Sequence, residues 1–282
     1  MKGQGITIIK LGGSCFSDKK VPRSLHADVI DGICTQLEKA SFPYIVVHGG
    51  GSYGHPVAKK YGIHLGRQEG YGDQSKGFCE THEAMAELNG TIVGQFLKHG
   101  IYAYPLQTSA VFILENGVAS VARLEAVDAL LDQGFVPVLY GDSVVDTARG
   151  FGIISGDTII VELANRLRNH VDRIVYLMDV DGLFDKDPKL DPKAKLIPEI
   201  AVRGGELLIP QGKERIGLET TMQHCGTTID VTGGIYGKIR ELGRLQDKKI
   251  LASLINGRNR TSLSGLIQGK AVPCTRISLS ET

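Results

Sequence analysis

Residues 45–62 have the sequence IVVHGGGSYGHPVAKKYG, in which an apolar, β-branched run passes directly into three glycines and then into a polar segment. A short apolar run of this kind is typical of a buried strand, and the glycines predict a turn after it. Proline is well tolerated only in the first turn of a helix, so Pro56 predicts a helix that begins near residues 52–55. Gly62 is the expected stop of that helix.

The same alternation continues along the chain. Four further runs are predicted to be buried strands, namely GITIIKL, FVPVLY, RIVYLMDV and KILASLI. Between them, apolar residues recur at helical spacing, as in Leu25, Val29, Ile33 and Leu37 or Met85, Leu88, Ile92 and Phe96. Strands that alternate with helices predict an α/β fold with a largely parallel sheet.

Other segments depart from this alternation. Asn116 and Gly117 lie between two apolar runs, which predicts a small antiparallel hairpin attached to the parallel sheet. Residues 62–76 and 185–215 have no clear period, so we expect long loops there, of the kind that act as lids or binding loops.

The composition excludes several classes of protein. Among 282 residues, 32 Lys and Arg nearly balance 31 Asp and Glu, so nothing indicates binding to nucleic acid or to an anionic membrane. The five cysteines never form a C-x-x-C pair, which argues against a disulfide framework or a zinc site. No run approaches the roughly 18 apolar residues of a membrane span. We therefore expect a cytoplasmic protein.

The glycine run raises the question of a dinucleotide site. Gly49, Gly51 and Gly54 satisfy G-x-G-x-x-G after a strand, but that motif needs an acidic residue about 20 residues on, at the end of the next strand. No strand precedes Glu69 or Asp73, so we reject a dinucleotide site.

The glycines still allow an anion to approach a helix N-terminus closely. His55 stands beside this turn and is a candidate ligand of that anion, the alternative being a histidine that caps or packs.

A second glycine turn follows the first strand. The strand ends at Lys10, and Gly12, Gly13 and Ser14 follow, an arrangement in which a lysine can bridge phosphates. A solvated lysine in a surface turn is the alternative. Two such turns at the ends of parallel strands favour two phosphate-bearing ligands that face each other.

Two further motifs point to a polyphosphate or a nucleotide. TGGIYGK, which ends at Lys238, resembles a P-loop, but Ile239 stands where Ser or Thr would hold magnesium, so it is not a Walker A motif. Asp179 and Asp181 in MDVDG are suited to a nucleotide sugar or a metal, and turn-forming aspartates are an equal alternative.

Together, IKLGGS, VVHGGG, GDSVVD, ISGD, MDVDGLFDKDP and TGGIYGK resemble the amino acid kinase superfamily in their order. Within it, GGGSYGHPVAKKYG and GFCETHEAMAELN are similar to isopentenyl phosphate kinases, with fosfomycin kinases as near relatives. The resemblance implies one αβα sandwich domain over residues 1–282, usually a homodimer, with the phosphate acceptor in residues 1–170 and ATP in residues 171–282.

The resemblance also implies roles for particular residues. Those expected to be catalytic are Lys10, Lys19, His55 and Lys238. Those expected around ATP and the transferred phosphoryl group are Lys10, Gly12, Gly13, Ser14, Gly51, Asp179, Gly234 and Lys238. Gly50, His55 and Gly156 are expected to contact the acceptor phosphate, and Phe78, Met85 and Ile92 to line a pocket for its five-carbon tail or else to belong to the core.

The implied reaction transfers the γ-phosphoryl group of ATP to a phosphate oxygen of isopentenyl phosphate and so serves isoprenoid biosynthesis. Mg2+ is expected to accompany ATP, bound mainly through the nucleotide and water, because no carboxylate cage is evident. Two alternatives remain, a fosfomycin kinase and a non-catalytic nucleotide-binding sensor or storage protein.

Overall fold

The structure is a computed structural model that describes residues 5–18, 20–203, 206–209, 214–217, 233–245, 247 and 249–280. Its helices are Gly13–Phe16 (α1), Ala27–Leu37 (α2), Gly51–Lys60 (α3), Gln74–Lys98 (α4), Thr108–Val111 (α5), Glu125–Asp132 (α6), Gly156–Arg166 (α7), Gly233–Leu242 (α8) and Ser262–Ile267 (α9). Its strands are Ile6–Leu11 (β1), Tyr44–His48 (β2), Ala103–Pro105 (β3), Phe112–Glu115 (β4), Val118–Ala122 (β5), Val136–Tyr140 (β6), Asp142–Asp146 (β7), Gly150–Ile154 (β8), Val171–Met178 (β9), Leu183–Phe184 (β10), Leu196–Ile197 (β11), Glu199–Arg203 (β12), Glu206–Ile209 (β13), Glu214–Gly217 (β14), Leu251–Asn256 (β15) and Cys274–Ser280 (β16).

Within the described residues, ten strands form the central sheet, in the order β14-β13-β12-β16-β15-β9-β1-β2-β6-β3. The six strands from β15 to β3 pair in parallel. The five runs predicted to be strands are β15, β9, β1, β2 and β6, and they lie side by side in the middle of this sheet. The prediction of an α/β fold with a largely parallel sheet is therefore confirmed.

Helices cover both faces of the sheet. Alternate side chains of β1 point to opposite faces, so Ile6 and Ile8 belong to one apolar cluster, and Ile9 and Leu11 belong to another. The first cluster includes apolar residues of α6, α7 and α8, and the second includes those of α2, α4 and α9. This is the expected αβα sandwich.

The hairpin at Asn116 and Gly117 is confirmed. Both residues have positive φ, 52° and 81°, as a tight hairpin turn between twisted strands requires. The carboxylate of Asp146 accepts hydrogen bonds from the backbone N–H groups of Asn116 (3.0 Å) and Gly117 (2.7 Å). In the part of the chain that the structure describes, the hairpin belongs to a separate four-stranded sheet, β5-β4-β7-β8, whereas the sequence predicted that it would be attached to the parallel sheet.

The start of α3 differs from the prediction. The helix begins at Gly51, so Pro56 is its sixth residue, past the first turn. A proline there has no N–H for the carbonyl of Ser52. The backbone N–H of Arg23 donates to that carbonyl instead, at 3.2 Å, which explains why an interior proline is tolerated. The predicted stop is confirmed, because Gly62 follows the helix with φ of 63°.

Residues 185–215 were expected to be a long loop, and this was wrong. The segment contains β11, β12 and β13 and the start of β14. β12 pairs with β16, and β13 and β14 continue the sheet outward from it. Short strands at a sheet edge bury only part of their residues, so their apolar period is too brief to read from the sequence.

Candidate active site

A cavity of about 620 Å3 lies along the carboxyl edge of the parallel strands. The residues that directly follow four neighbouring strands line it: Gly12 after β1, Gly49 after β2, Gly141 after β6 and Asp179 after β9. Open α/β sheets bind ligands at this edge, because there the connections diverge and leave a crevice.

The two predicted glycine turns contact each other in the cavity wall. A Cβ atom on Gly13 would lie 2.7 Å from the Cα and N atoms of Gly51, so no larger residue fits. Gly51 has φ of 50°, and a Cβ there would collide with the Ser17 hydroxyl. Gly13, Gly50 and Gly51 therefore line the cavity at the start of α3, and a glycine turn at a helix N-terminus is suited to phosphate.

Two lysines converge on one carboxylate beside these turns. Lys10 is buried and donates to Oδ1 of Asp157, while Nζ of Lys238 lies 3.2 Å from Oδ2. Asp157 is the second residue of α7, whose N-cap, Ser155, accepts a hydrogen bond from the N–H of Thr158 at 3.0 Å. The cluster therefore joins β1, α7 and α8 at the cavity floor.

Burial and charge set the protonation of this cluster. Desolvation lowers the pKa of Lys10 to about 8, although the charge of Asp157 opposes the shift. Burial alone would raise the pKa of Asp157, but Lys10 and then Lys238 outweigh that effect and hold it below its usual range. The cluster thus carries net positive charge near neutral pH, as an anionic ligand requires.

On the side of the cavity formed by β9, Asp179 is held by two groups. The Ser14 hydroxyl donates to Oδ1 at 2.8 Å, and the Lys189 ammonium donates to Oδ2. Although burial would raise the pKa of Asp179, the hydrogen bonds from Lys189 and Ser14 lower it. Asp179 therefore ties the first glycine turn to the segment after β10.

The opposite side of the cavity is lined by His55, Met85, Asp142 and Ile153. Asp142 is 1% exposed, and both its carboxylate oxygens lie 3.0 Å from Nδ1 of His82 on α4. Burial raises the pKa of Asp142, and His82 opposes this shift. This side is a mixed surface, apolar at Met85 and Ile153 and polar at Asp142.

The structure brings most of the predicted site residues together. Those that line the cavity are Lys10, Gly12, Gly13, Ser14, Gly50, Gly51, His55, Met85, Gly156, Asp179 and Lys238. His55 is exposed and belongs to the second turn of α3, one turn later than predicted. Gly234 is the second residue of α8. Lys19 lies outside the described residues, so its role stays a prediction.

Two of the three residues predicted for the tail pocket do not line the cavity. Ile92 is completely buried in the core between α4 and the sheet. Phe78 stacks on Phe151 of β8, with ring centroids 5.5 Å apart. The helical period selects the buried face of α4 but does not distinguish core from cavity. Met85 lines the cavity, and its role in holding the tail stays a prediction.

Sequence reasoning missed Asp157, although it stands next to Gly156 in the motif ISGD. Its signal was available: an acidic residue in the first turn of a helix after a Ser N-cap is favourable to the helix dipole. What the sequence does not contain is the approach of Lys10 and Lys238, which come from distant parts of the chain.

The lysine-paired carboxylates of the cavity do not suit a bare metal ion. The carboxylates of Asp157 and Asp179 are already engaged by lysines. Within the described ranges, no group of three or more His, Cys, Asp or Glu side chains is arranged to hold a metal ion.

None of the helices described combines the length and apolar composition needed to cross a bilayer.

These features define the class: an α/β phosphotransferase, with glycine turns and lysines gathered where a phosphoryl group would pass between two ligands. The sequence matches the amino acid kinase family over residues 5–254. The chain belongs to that family and is a kinase, a class that uses ATP as phosphoryl donor.

Particular relatives are similar over nearly their whole length. The chain is 34% identical to the isopentenyl phosphate kinase of Methanothermobacter thermautotrophicus, over 96% of this chain and 98% of that protein. It is 33% identical to that of Methanocaldococcus jannaschii, over 98% of this chain and 100% of that protein. An X-ray structure of isopentenyl phosphate kinase matches with a TM-score of 0.77 at 29% identity, over 96% of this chain and 100% of that one. The resemblance inferred from the motifs is confirmed.

Proposed function

We propose that this kinase phosphorylates isopentenyl phosphate to isopentenyl diphosphate, with ATP as donor, for isoprenoid biosynthesis. The observation that carries the proposal is one continuous cavity in which the Lys10, Asp157 and Lys238 cluster lies between a His55 side and an Asp179 side. The similarity to isopentenyl phosphate kinases over nearly the full chain supports the choice of acceptor.

The acceptor is already a phosphate and is largely ionised near neutral pH, so no strong general base is needed. Phosphoryl transfer then depends on positioning and on neutralising charge. His55 would donate a hydrogen bond to the acceptor phosphate, and the N-terminus of α3 would add its dipole. Lys10, Lys238 and Lys19 would balance the charge on the β- and γ-phosphates.

Several finer features belong to the same proposal. The acceptor would bind to the half formed by residues 1–170, and ATP would bind to the half formed by residues 171–282. The residues around the nucleotide would be Gly12, Gly13, Ser14, Gly51, Asp179 and Gly234. Mg2+ would enter with ATP, held mainly by phosphate oxygens and water, since Asp157 and Asp179 are paired with lysines. We further propose a cytoplasmic homodimer, acting in a mevalonate pathway.

A parallel assay of ADP release tests the acceptor. ATP is combined in turn with isopentenyl phosphate, fosfomycin, acetylglutamate or UMP, and turnover is expected with isopentenyl phosphate. Turnover with fosfomycin alone would identify a fosfomycin kinase. Binding of ATP with no turnover on any acceptor would favour a nucleotide-binding sensor.

A further inference from the structure

The aromatic ring of Tyr176 lies beside both lysines of the active site. In the parallel pairing of β1 and β9, Lys10 stands directly opposite Tyr176, so the two side chains share one face of the sheet. Tyr176 is completely buried. Nζ of Lys10 lies over the ring, 5.8 Å from its centroid, and Nζ of Lys238 lies over it at 5.9 Å.

Both distances are within the range of cation–π attraction, in which the negative face of the ring quadrupole stabilises a cation. The attraction is stronger where water is excluded, and Lys10 is buried. The ring therefore offsets two unfavourable effects at once, the desolvation of Lys10 and the repulsion between the two ammonium groups.

The phenol hydroxyl does not explain why a tyrosine is buried here. Within the described part of the chain, its oxygen is buried and has no hydrogen-bond partner. A buried hydroxyl without a partner is unfavourable, whereas the ring contacts both lysines.

We propose that the ring of Tyr176 is a positioning group of the active site, which favours the charged form of Lys10 and holds the ammonium group of Lys238 close to it where the transferred phosphoryl group passes. The expected effect of the ring on kcat rests on the proposed function. Its expected effect on the pKa of Lys10 is a property of the protein without substrate and does not depend on that function.

The groups around Lys10 define what the ring contributes to its protonation. Asp157 of α7 favours the ammonium form, Lys238 of α8 disfavours it, and burial disfavours it most. Tyr176 of β9 adds an attraction to the ammonium form. Weakening the ring quadrupole should thus lower the pKa of Lys10 below about 8.

The experiment replaces Tyr176 by phenylalanine and then by mono-, di- and trifluorinated phenylalanine, which nearly keep the shape of the ring while its negative face weakens. The pKa of Lys10 is measured without substrate from its 13Cε signal, and kcat is measured by ADP release. Tyr176→Phe should stay within about twofold of the wild type, and fluorination should lower kcat progressively, by about tenfold in all, with the pKa of Lys10 falling in parallel.

Ile174→Val is the matched control, because Ile174 is a fully buried residue of the same apolar cluster and the same strand. It should leave kcat and the pKa of Lys10 unchanged. A flat response of both quantities across the fluorinated series, or an equal loss already in Tyr176→Phe, would overturn the inference. If the wild type phosphorylates no acceptor, the proposed function fails, while the substrate-free titration still decides the role of the ring.

Discussion

The ammonium group of Lys10 donates to the carboxylate of Asp157, a residue 147 positions away in the chain. Lys238 reaches the other oxygen of the same carboxylate. One acidic group thus sets the separation of two lysines that would otherwise repel each other. This contact joins the first strand of the chain to α7 and α8, and it lies at the floor of the cavity.

Asp157→Asn should lower kcat by about 10²-fold, comparable to losing one preorganised electrostatic group. The amide keeps the shape but leaves two lysine charges facing each other without a counter-charge. Steady-state ADP release measures the effect. Asp132→Asn is the control, since Asp132 pairs with Arg168 and neither residue lines the cavity, and its kinetics should match the wild type. Equal activity of the two variants would contradict the role given to Asp157.

The pH profile of kcat/KM should fall above about pH 8, because the Lys10 pKa is lowered to about 8 by burial and the neutral amine no longer balances phosphate charge. Asp157 raises the pKa of Lys10, so Asp157→Asn should move this basic limb to lower pH. Lys10→Arg should abolish the limb, since a guanidinium stays charged, even if the activity is low. A limb that persists unchanged in Lys10→Arg would assign it to another group.

His55→Ala should lower kcat/KM by at least about 10²-fold with the fold intact, as expected for the loss of one positioned donor. His64→Ala is the matched control, because His64 is also exposed and lies shortly after α3 but does not line the cavity. Circular dichroism verifies the fold of both variants. An unchanged kcat/KM in His55→Ala would remove His55 from the mechanism.

Gly51→Ala should destabilise the protein by about 1–3 kcal/mol, the usual cost of a left-handed backbone for a residue other than glycine. Its Cβ would also displace the Ser17 hydroxyl, which donates to the carbonyl of Gly13 at 2.7 Å and accepts from the N–H of Ser52 at 3.1 Å. Nucleotide affinity should fall together with stability, because both glycine turns shift.

Gly90→Ala on α4 should have the opposite effect. A Cβ there meets nothing within 4 Å, and alanine favours a helix over glycine by about 0.8–1 kcal/mol. Thermal unfolding of both variants provides the comparison. Similar destabilisation in the two would show that the close approach at Gly51 is not what requires glycine.

His99 should make stability depend on pH. Its Nδ1 lies 2.6 Å from Glu38 and its Nε2 2.9 Å from Asp31, so it links the end of α4 to α2. Hydrogen bonds to Glu38 and then Asp31 raise the pKa of His99 in the folded state. A raised folded-state pKa stabilises the protein fully below the unfolded pKa, about 6.5, and the benefit disappears as pH rises through the folded value.

Chemical denaturation of His99→Gln and wild type at several pH values tests this. Below pH 6 the difference in free energy of unfolding should be only on the order of 1 kcal/mol, since both carboxylates are partly exposed and screened. The difference should shrink at alkaline pH, where His99 is neutral. Added salt should reduce the difference at low pH. A difference that grows as pH rises would contradict the assignment.

The sequence predicted the centre of the fold better than its edges. The five central strands are continuous apolar runs, because a parallel strand covered by helices on both faces has no polar side. β12 and β13 lie near one edge of the sheet, next to the edge strand β14, and alternate between buried and partly exposed residues, so the segment was misread as a loop. The start of α3 was predicted too late because Pro56 was assumed to lie in the first turn of the helix. The hydrogen bond that Pro56 cannot donate is instead donated by the backbone N–H of Arg23, from another segment.

The candidate site likewise has some features that the sequence shows and others that only the tertiary structure shows. Glycine turns and strand-end lysines are local features, since a strand that runs into consecutive glycines creates an anion site through its own backbone. The sequence by itself therefore determined the α/β fold and the two glycine turns, and it predicted roles for Lys10, His55 and Lys238. Only the tertiary structure decided that Asp157 joins the lysines, that Tyr176 lies beneath them and that Ile92 is core, because these facts depend on the register of strands and the packing of helices distant in sequence.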